Sequence, residues 1–341
     1  MRILIYSPAF YPNVGGIETL VDILAREFVR QGQEVKLVSQ VPATDSKAFS
    51  FEVVRRPAPS QLLSLTAWCE VFFQPHMSLK GAWPLLIKRR PWVVAHNAWY
   101  ARSDGSLGWQ DHLKHFAARF ATGISVSHAV AAHVSTPSKV IPNTYREDVF
   151  YTMPAIARDR ELVFLGRLVS SKGADLLLHA LANLKKRGLR PGLTVVGGGP
   201  EEDNLRQLSK DLEIDGQIEF AGVKAEAELA SILNGHKILV APSRWQEPFG
   251  IVALEGIACG CVVVGSEGGG LKDAIGPCGV TFPNGNVEAL AGVLADLLAE
   301  PDRLNDYRAY AQEHLSRHKT ADVAKAYLQV FELAAKKDEH T

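Results

Sequence analysis

The segment RWQEPFGIVALE, residues 244–255, is apolar, aromatic or small at most positions, yet it carries Glu247 and Glu255. Carboxylates are costly in a buried helix unless something pairs with them. Pro248 suits the first position of a helix, where its missing N–H is no loss. The segment therefore predicts Glu247 at a helix mouth and Glu255 about two turns in. At about 1.5 Å per residue they lie about 12 Å apart along the axis. That is too far to serve one atom, but it suits the two ends of one elongated ligand. Between them the N–H groups of Phe249, Gly250 and Ile251 face out of the positive end of the helix and make an anion site. Sugar hydroxyls, a diphosphate and ribose hydroxyls in a row match that layout. The bland alternative is a Glu247 that only caps the helix and a Glu255 on a solvated face, and spacing alone leaves both open.

Other groups with chemical potential sit between apolar runs and helical patterns. GRLVSSKG, 166–173, offers Arg167 and Lys172; YPNVGGIE, 11–18, offers Gly15 and Gly16; VVAHNAWY, 93–100, offers His96 at a strand end. Together with EPFGIVALE, a glutamate followed by seven residues and a second glutamate, these motifs resemble the signature of retaining glycosyltransferases of the GT-B fold, the large family numbered four. The resemblance extends over nearly the whole chain.

The resemblance implies roles residue by residue. Glu247 approaches the donor sugar hydroxyls and Glu255 binds ribose. Arg167 and Lys172 neutralise the diphosphate, as the chemistry demands: breaking a glycosyl–phosphate bond builds negative charge on the leaving oxygens, and fixed cations stabilise it. No Asp-x-Asp pattern is present to hold a divalent metal, so these cations come from side chains. Gly15 and Gly16 let backbone approach the diphosphate. His96 is the candidate contact to the donor sugar near the anomeric carbon, with His128 and His133 as competitors. Gly197 and Gly198 in VVGGGPEED, with the backbone around Val223, lie near the nucleotide base. Asn143 ends a turn on the hinge side. SEGGGLKDAI, 266–275, departs from the family pattern: Lys272 follows Leu271, and Asp273 stands where a glutamate is usual.

The elements that must position these groups are legible as apolar runs. Residues 2–7 read as a buried strand, IETLVDILAREFVRQG as a helix, and EVKLVSQ as the next strand. This order argues for a parallel sheet with right-handed crossovers. PWVVAH, GISVS and KVIPN extend it. A second series starts at residue 161 and runs through LTVVGGG, IEFAGV, KILVAPS and CVVVGSEGG. The expected fold is therefore α/β, two doubly wound Rossmann-like domains; the GT-B resemblance adds a central cleft that they face. Residues 1–150 form the acceptor-side domain and 151–318 the nucleotide-sugar domain, with a polar linker near 145–160. In 319–341, Val323, Ala326, Tyr327, Val330, Phe331 and Ala334 make one wide apolar helical stripe. That stripe needs a further surface, and the resemblance implies that this helix crosses back to the first domain.

Composition agrees. The 341 residues are too many for one ordinary core, and 47% hydrophobic with 22% charged residues describes a globular chain. No run reaches the roughly 18 apolar residues of a spanning helix. The start, MRILIYSPAFYP, is a first strand and not a signal peptide. Cys69, Cys259, Cys261 and Cys278 read as reduced cytosolic thiols. The net charge is zero, but residues 1–152 hold 16 Lys and Arg against 11 Asp and Glu. A basic first half suits an anionic acceptor or a membrane surface, with chance asymmetry as the bland alternative; the aromatic and basic stretch 74–92 reads either as a covered helix and loop or as a contact to a lipid-linked or anionic acceptor. The expectation is a cytoplasmic enzyme, in peripheral contact with the inner membrane face through its first domain. The resemblance implies that it transfers a hexose from a UDP- or GDP-sugar to a hydroxyl acceptor by front-face retention. It needs no metal and no cofactor and binds no nucleic acid. The rivals are an epimerase on the same fold and a non-catalytic sugar-nucleotide binder.

Overall fold

A computed structural model describes residues 1–13, 15–42, 47–100, 106–134 and 136–338. Val14, within the first glycine motif, and residues 339–341, at the end of the expected last helix, lie outside them. The chain divides into two units: Met1–Thr144 with Lys319–Thr341, and Tyr145–His318.

Among the described residues of the first unit, seven strands form one parallel sheet: β1 (Arg2–Tyr6), β2 (Glu34–Ser39), β3 (Glu52–Arg55), β4 (Val71–Gln74), β5 (Trp92–His96), β6 (Thr122–Ser125) and β7 (Ser138–Val140). Their order is β3-β2-β1-β4-β5-β6-β7. A parallel sheet is covered on both faces, so its strands are continuous apolar runs; β4 is buried at all of its residues. One face is covered by the helix Gly16–Arg30 and by the last helix, Thr320–Asp338. The stripe of the last helix closes this core: Phe331 lies 5.5 Å from Phe28 and 5.1 Å from Phe73, ring centre to ring centre, and Tyr327 lies 5.7 Å from Phe73. Gln31 Nε2 donates to the Ala321 carbonyl at 3.0 Å, and the Thr144 and Thr320 hydroxyls meet at 2.8 Å.

The second unit repeats the architecture with β8 (Arg160–Leu165), β9 (Leu193–Val196), β10 (Ile218–Gly222), β11 (His236–Ala241), β12 (Val262–Ser266) and β13 (Gly279–Phe282), ordered β10-β9-β8-β11-β12-β13. Its core packs Leu162, Phe164, Val240 and Val264 against Leu177, Leu181, Leu290 and Leu294. The polar stretch 145–160, expected as a linker, is bonded to this unit. Asn234 joins the Met153 N–H and the Tyr151 carbonyl, and Arg158 donates to the carbonyls of Leu233, His236 and Cys259. The unit boundary therefore falls at Thr144/Tyr145, earlier than residue 150.

In each sheet the strand order reverses once, between β1 and β4 and between β8 and β11. Open α/β sheets bind ligands beyond the carboxyl ends of the strands at such a switch point.

Candidate active site

In the second unit the loops leaving β8 and β11 flank the switch point. The β8 loop tightens into a short 3₁₀ turn, Ser170–Lys172, with the Lys172 N–H on the Val169 carbonyl at 3.0 Å. Gly173 follows at φ +68°, where a side chain would be strained and its Cβ would collide with the Pro242 carbonyl. Only glycine lets the two loops pack backbone to backbone here. The Arg244 and Trp245 N–H groups both donate to the Ser171 carbonyl, at 3.0 and 3.3 Å, and Arg244 pairs with Asp175 at the start of the next helix. This stapling brings Lys172 Nζ to Glu247 Oε1 at 2.6 Å. Ser243 Oγ donates to the same oxygen at 2.7 Å.

The backbone of Glu247 is held as well. It forms an isolated parallel bridge with Gly269, and its carbonyl accepts the Gly270 N–H at 2.6 Å. Asn284 ties the β11 and β12 loops together: its Oδ1 accepts the Gly268 N–H at 2.7 Å and its Nδ2 donates to the Ser243 carbonyl at 3.2 Å. Sequence reasoning missed Ser243 and Asn284. The first was visible only as the polar end of KILVAPS, and the second only as part of a Pro-Asn-Gly turn.

The helix after this loop spans Ile251–Ala258, so Pro248 is not its first residue and Glu247 is not at its mouth. The reason is Gly250, whose φ of +106° is left-handed and cannot belong to a right-handed helix. The axial spacing expected for Glu247 and Glu255 therefore does not apply; Glu255 is the fifth residue of a helix that begins only at Ile251. The N–H groups of Gly250, Ile251 and Val252 make no backbone hydrogen bond among the described residues, as at any helix start. Phe249 directs its ring into the unit, 5.7 Å from the His318 ring. Glu255 is partly buried and has no side-chain partner among the described residues. Burial, and then the charge of Glu226, push its carboxyl up to about 7.

Arg167, just beyond β8, is exposed and makes no ion pair among the described residues. The Leu168 N–H donates to the Gly198 carbonyl at 3.0 Å, and a Cβ on Gly198 would sit 3.0 Å from Val223 Cγ2. Arg167, Gly198 and Val223, which is 81% exposed, thus stand at the carboxyl edge of β8, β9 and β10.

In the first unit Gly15 caps the helix that Gly16 begins, the first helix after β1. The Glu18 carboxylate folds back over Gly15. His96 ends β5 but departs from expectation. Its imidazole is 1% exposed, Nδ1 lies 2.6 Å from the Tyr100 hydroxyl, and Nε2 packs over Gly123 without a partner among the described residues. Burial, with the nearby imidazoles of His115 and His76, lowers it to about 4, so it is neutral at pH 7. The strand's alternation turns this side chain inward. His128 opens the helix His128–His133, which Ser127 caps through the Val130 N–H. The His133 ring lies 5.4 Å from that of His115.

Part of the chain is similar in sequence to known proteins, and its fold to solved structures. Residues 154–314 match the family described as Glycosyl transferases group 1. A D-inositol 3-phosphate glycosyltransferase of Rhodococcus erythropolis is 32% identical over 185 residues, 51% of this chain and 41% of the relative. A GDP-mannose-dependent alpha-(1-6)-phosphatidylinositol monomannoside mannosyltransferase of Mycolicibacterium smegmatis is 35% identical over 151 residues, 42% of this chain and 39% of the relative. The matched part therefore spans about two-fifths of these relatives' length. Among solved structures, Anabaena Alr3699/HepE in complex with UDP and glucose superposes with a TM-score of 0.81 at 20% identity, covering 97% of this chain and 99% of the other. Sucrose-phosphate synthase from Thermosynechococcus elongatus gives 0.80 at 19% identity, covering 97% and 98%. At that identity the likeness establishes the fold, which is GT-B.

Proposed function

We propose that this chain is a retaining glycosyltransferase that moves a sugar from a nucleotide diphosphate sugar to a hydroxyl acceptor. The observation that carries the reading is the Lys172–Glu247 pair beside the β8/β11 switch point, with Arg167 in the same loop after β8 and the helix from Ile251 following Glu247 in the chain. The names of the matched relatives and of the superposed structures support it.

Arg167, Lys172 and the Gly250 and Ile251 N–H groups hold the diphosphate. As the glycosyl–phosphate C–O bond breaks, its electron pair and charge move to the leaving oxygen, and these donors stabilise that charge without reorganising. Glu247 keeps one oxygen on Lys172 and Ser243 and presents the other to sugar hydroxyls. Glu255 accepts from ribose hydroxyls. The acceptor hydroxyl attacks from the face the diphosphate leaves, and its proton passes to the departing diphosphate oxygen. Glu247 orients the sugar and is no covalent nucleophile. With positive charge supplied by side chains, no metal is required. The first unit takes the acceptor; Gly15 and Gly16 open its backbone to a ligand at its own switch point, and His96 is a buried support for Tyr100.

The donor nucleotide is uridine or guanosine, since UDP occupies the Anabaena structure and the mannosyltransferase relative is GDP-mannose dependent. The test is a panel of UDP- and GDP-sugars read by slow donor hydrolysis and by thermal shift, for wild type and Lys172→Ala. Hydrolysis of one donor that is lost in the variant supports transfer. Tight binding of a donor with no turnover in the presence of any hydroxyl acceptor would leave a sugar-nucleotide binder and overturn the proposal.

A further inference from the structure

We infer that one edge of the first unit's sheet is a docking surface for a bilayer carrying anionic lipid. The charge surplus of the first half is concentrated. Residues 1–70 hold seven Lys and Arg and seven Asp and Glu, whereas residues 71–121 hold seven against two. Of those, Arg102 and Asp104 lie outside the described residues, and Asp111 is paired with Lys114.

The same stretch holds most of the unit's exposed large apolar side chains among the described residues. The helix Trp109–Ala117 buries none of its own residues. Trp109, Leu113, Phe116 and Phe120 recur at helical spacing and all face solvent, Trp109 and Phe120 at 70% exposure. A helix with an aromatic and leucine stripe left uncovered, and cations beside it, lies in a membrane interface. Large exposed apolar patches on a folded chain mark such contact sites.

Topology brings a second cluster to the same place. The turn Trp83–Leu86 leads through Leu86, Ile87, Lys88 and Arg89 into β5, and Leu86 is 88% exposed. Phe116, Arg119 and Phe120 lead into β6. The two strands are parallel neighbours, with Val93 opposite Thr122, so both approaches reach one edge of one sheet. Lys88, Arg89 and Arg119 are exposed and make no side-chain ion pair among the described residues. Beside the stripe a cavity of about 480 Å³ is lined by His112, His115, His133 and Arg119 with Leu107 and Phe116, and no described carboxylate lines it. Charge complementarity therefore selects an anionic surface: phosphates against Lys88, Arg89 and Arg119, acyl chains against the stripe.

This inference is independent of the donor site, and its test keeps the two apart. The full chain is floated with vesicles of phosphatidylcholine alone and of phosphatidylcholine with phosphatidylglycerol. Wild type should float with the anionic vesicles and release at high salt. Neutralising Lys88, Arg89 and Arg119 to Gln should lower partitioning about a hundredfold, at about fivefold per surface charge. Phe116→Ser with Phe120→Ser should also lower it, while the circular dichroism spectrum and the melting temperature without ligand stay at the wild-type values in both variants and report an intact fold. Failure of wild type to float with anionic vesicles overturns the inference, as does flotation that neither variant changes. A concentration-dependent dimer abolished by the Phe variant, with no flotation, would assign the stripe to a second copy of the chain instead.

Discussion

Lys172 Nζ donates to Glu247 Oε1 at 2.6 Å, and Ser243 Oγ donates to that same oxygen at 2.7 Å. One carboxylate oxygen is thereby fixed from the β8 loop and from the end of β11 together. Lys172→Ala should lower kcat by about 10²–10³, the scale for removing one charge-stabilising group. Glu247→Gln keeps the shape and loses the charge. It should leave UDP affinity near wild type while weakening the discrimination between sugars, read as kcat/KM across a donor panel. A Lys172 variant with wild-type kcat would remove Lys172 from the reaction.

Activity should survive EDTA, because in the proposed reaction Arg167 and Lys172 take the electrostatic role a metal would have. The measurement is initial rate with and without chelator. Loss that manganese or magnesium restores would contradict it.

Glu255 links pH and stability. Its carboxyl is raised to about 7 from the ordinary 4.5. The folded chain thus holds a proton that the unfolded chain has already lost. The stability this group contributes is fully present below about pH 4.5 and falls as pH rises toward about 7. Glu255→Gln should therefore be more stable than wild type at pH 8 without donor, with the difference vanishing near pH 4. The same variant should bind nucleotide less well. Denaturant melts at pH 4, 6 and 8 decide this, and parallel curves for the two proteins would refute it.

Asn284→Ala should lower stability by about 1–2 kcal/mol, since it leaves the Gly268 N–H and the Ser243 carbonyl without their partner. Because Ser243 fixes Glu247, kcat should fall with little change in UDP affinity. A stability loss with unchanged kcat would make Asn284 a purely structural staple.

Phe331 is fully buried against Phe28 and Phe73. Phe331→Ala should cost about 3–5 kcal/mol and expose apolar surface on the first unit, read by urea titration and dye binding. UDP binding in the second unit should persist at urea concentrations that unfold the first.

Much of this protein is written locally. Val163, Phe164, Val195, Leu239 and Val263 lie in continuous apolar runs, and such runs are what a parallel sheet covered on both faces requires, so most strands and the two α/β units were legible. The stripe from Val323 to Ala334 announced a helix in need of another surface. β4 was not legible: Val71–Gln74 is too short for periodicity, and only its place between β1 and β5 makes it a central strand. Motif spacing singled out Glu247, Glu255, Arg167 and Lys172. Tertiary structure alone decided which of them touch. The left-handed backbone at Gly250 delays the helix and moves Glu247 off its mouth, toward Lys172. Backbone contacts around Gly173 and Ser171 bring together residues 75 positions apart. Ser243 and Asn284 entered only there, because their roles depend on partners that no local pattern encodes. His96 shows the limit most plainly. A histidine at a strand end has the right chemistry for a site, but whether its ring meets a ligand or Tyr100 depends on which way the pleat turns it and on what packs above.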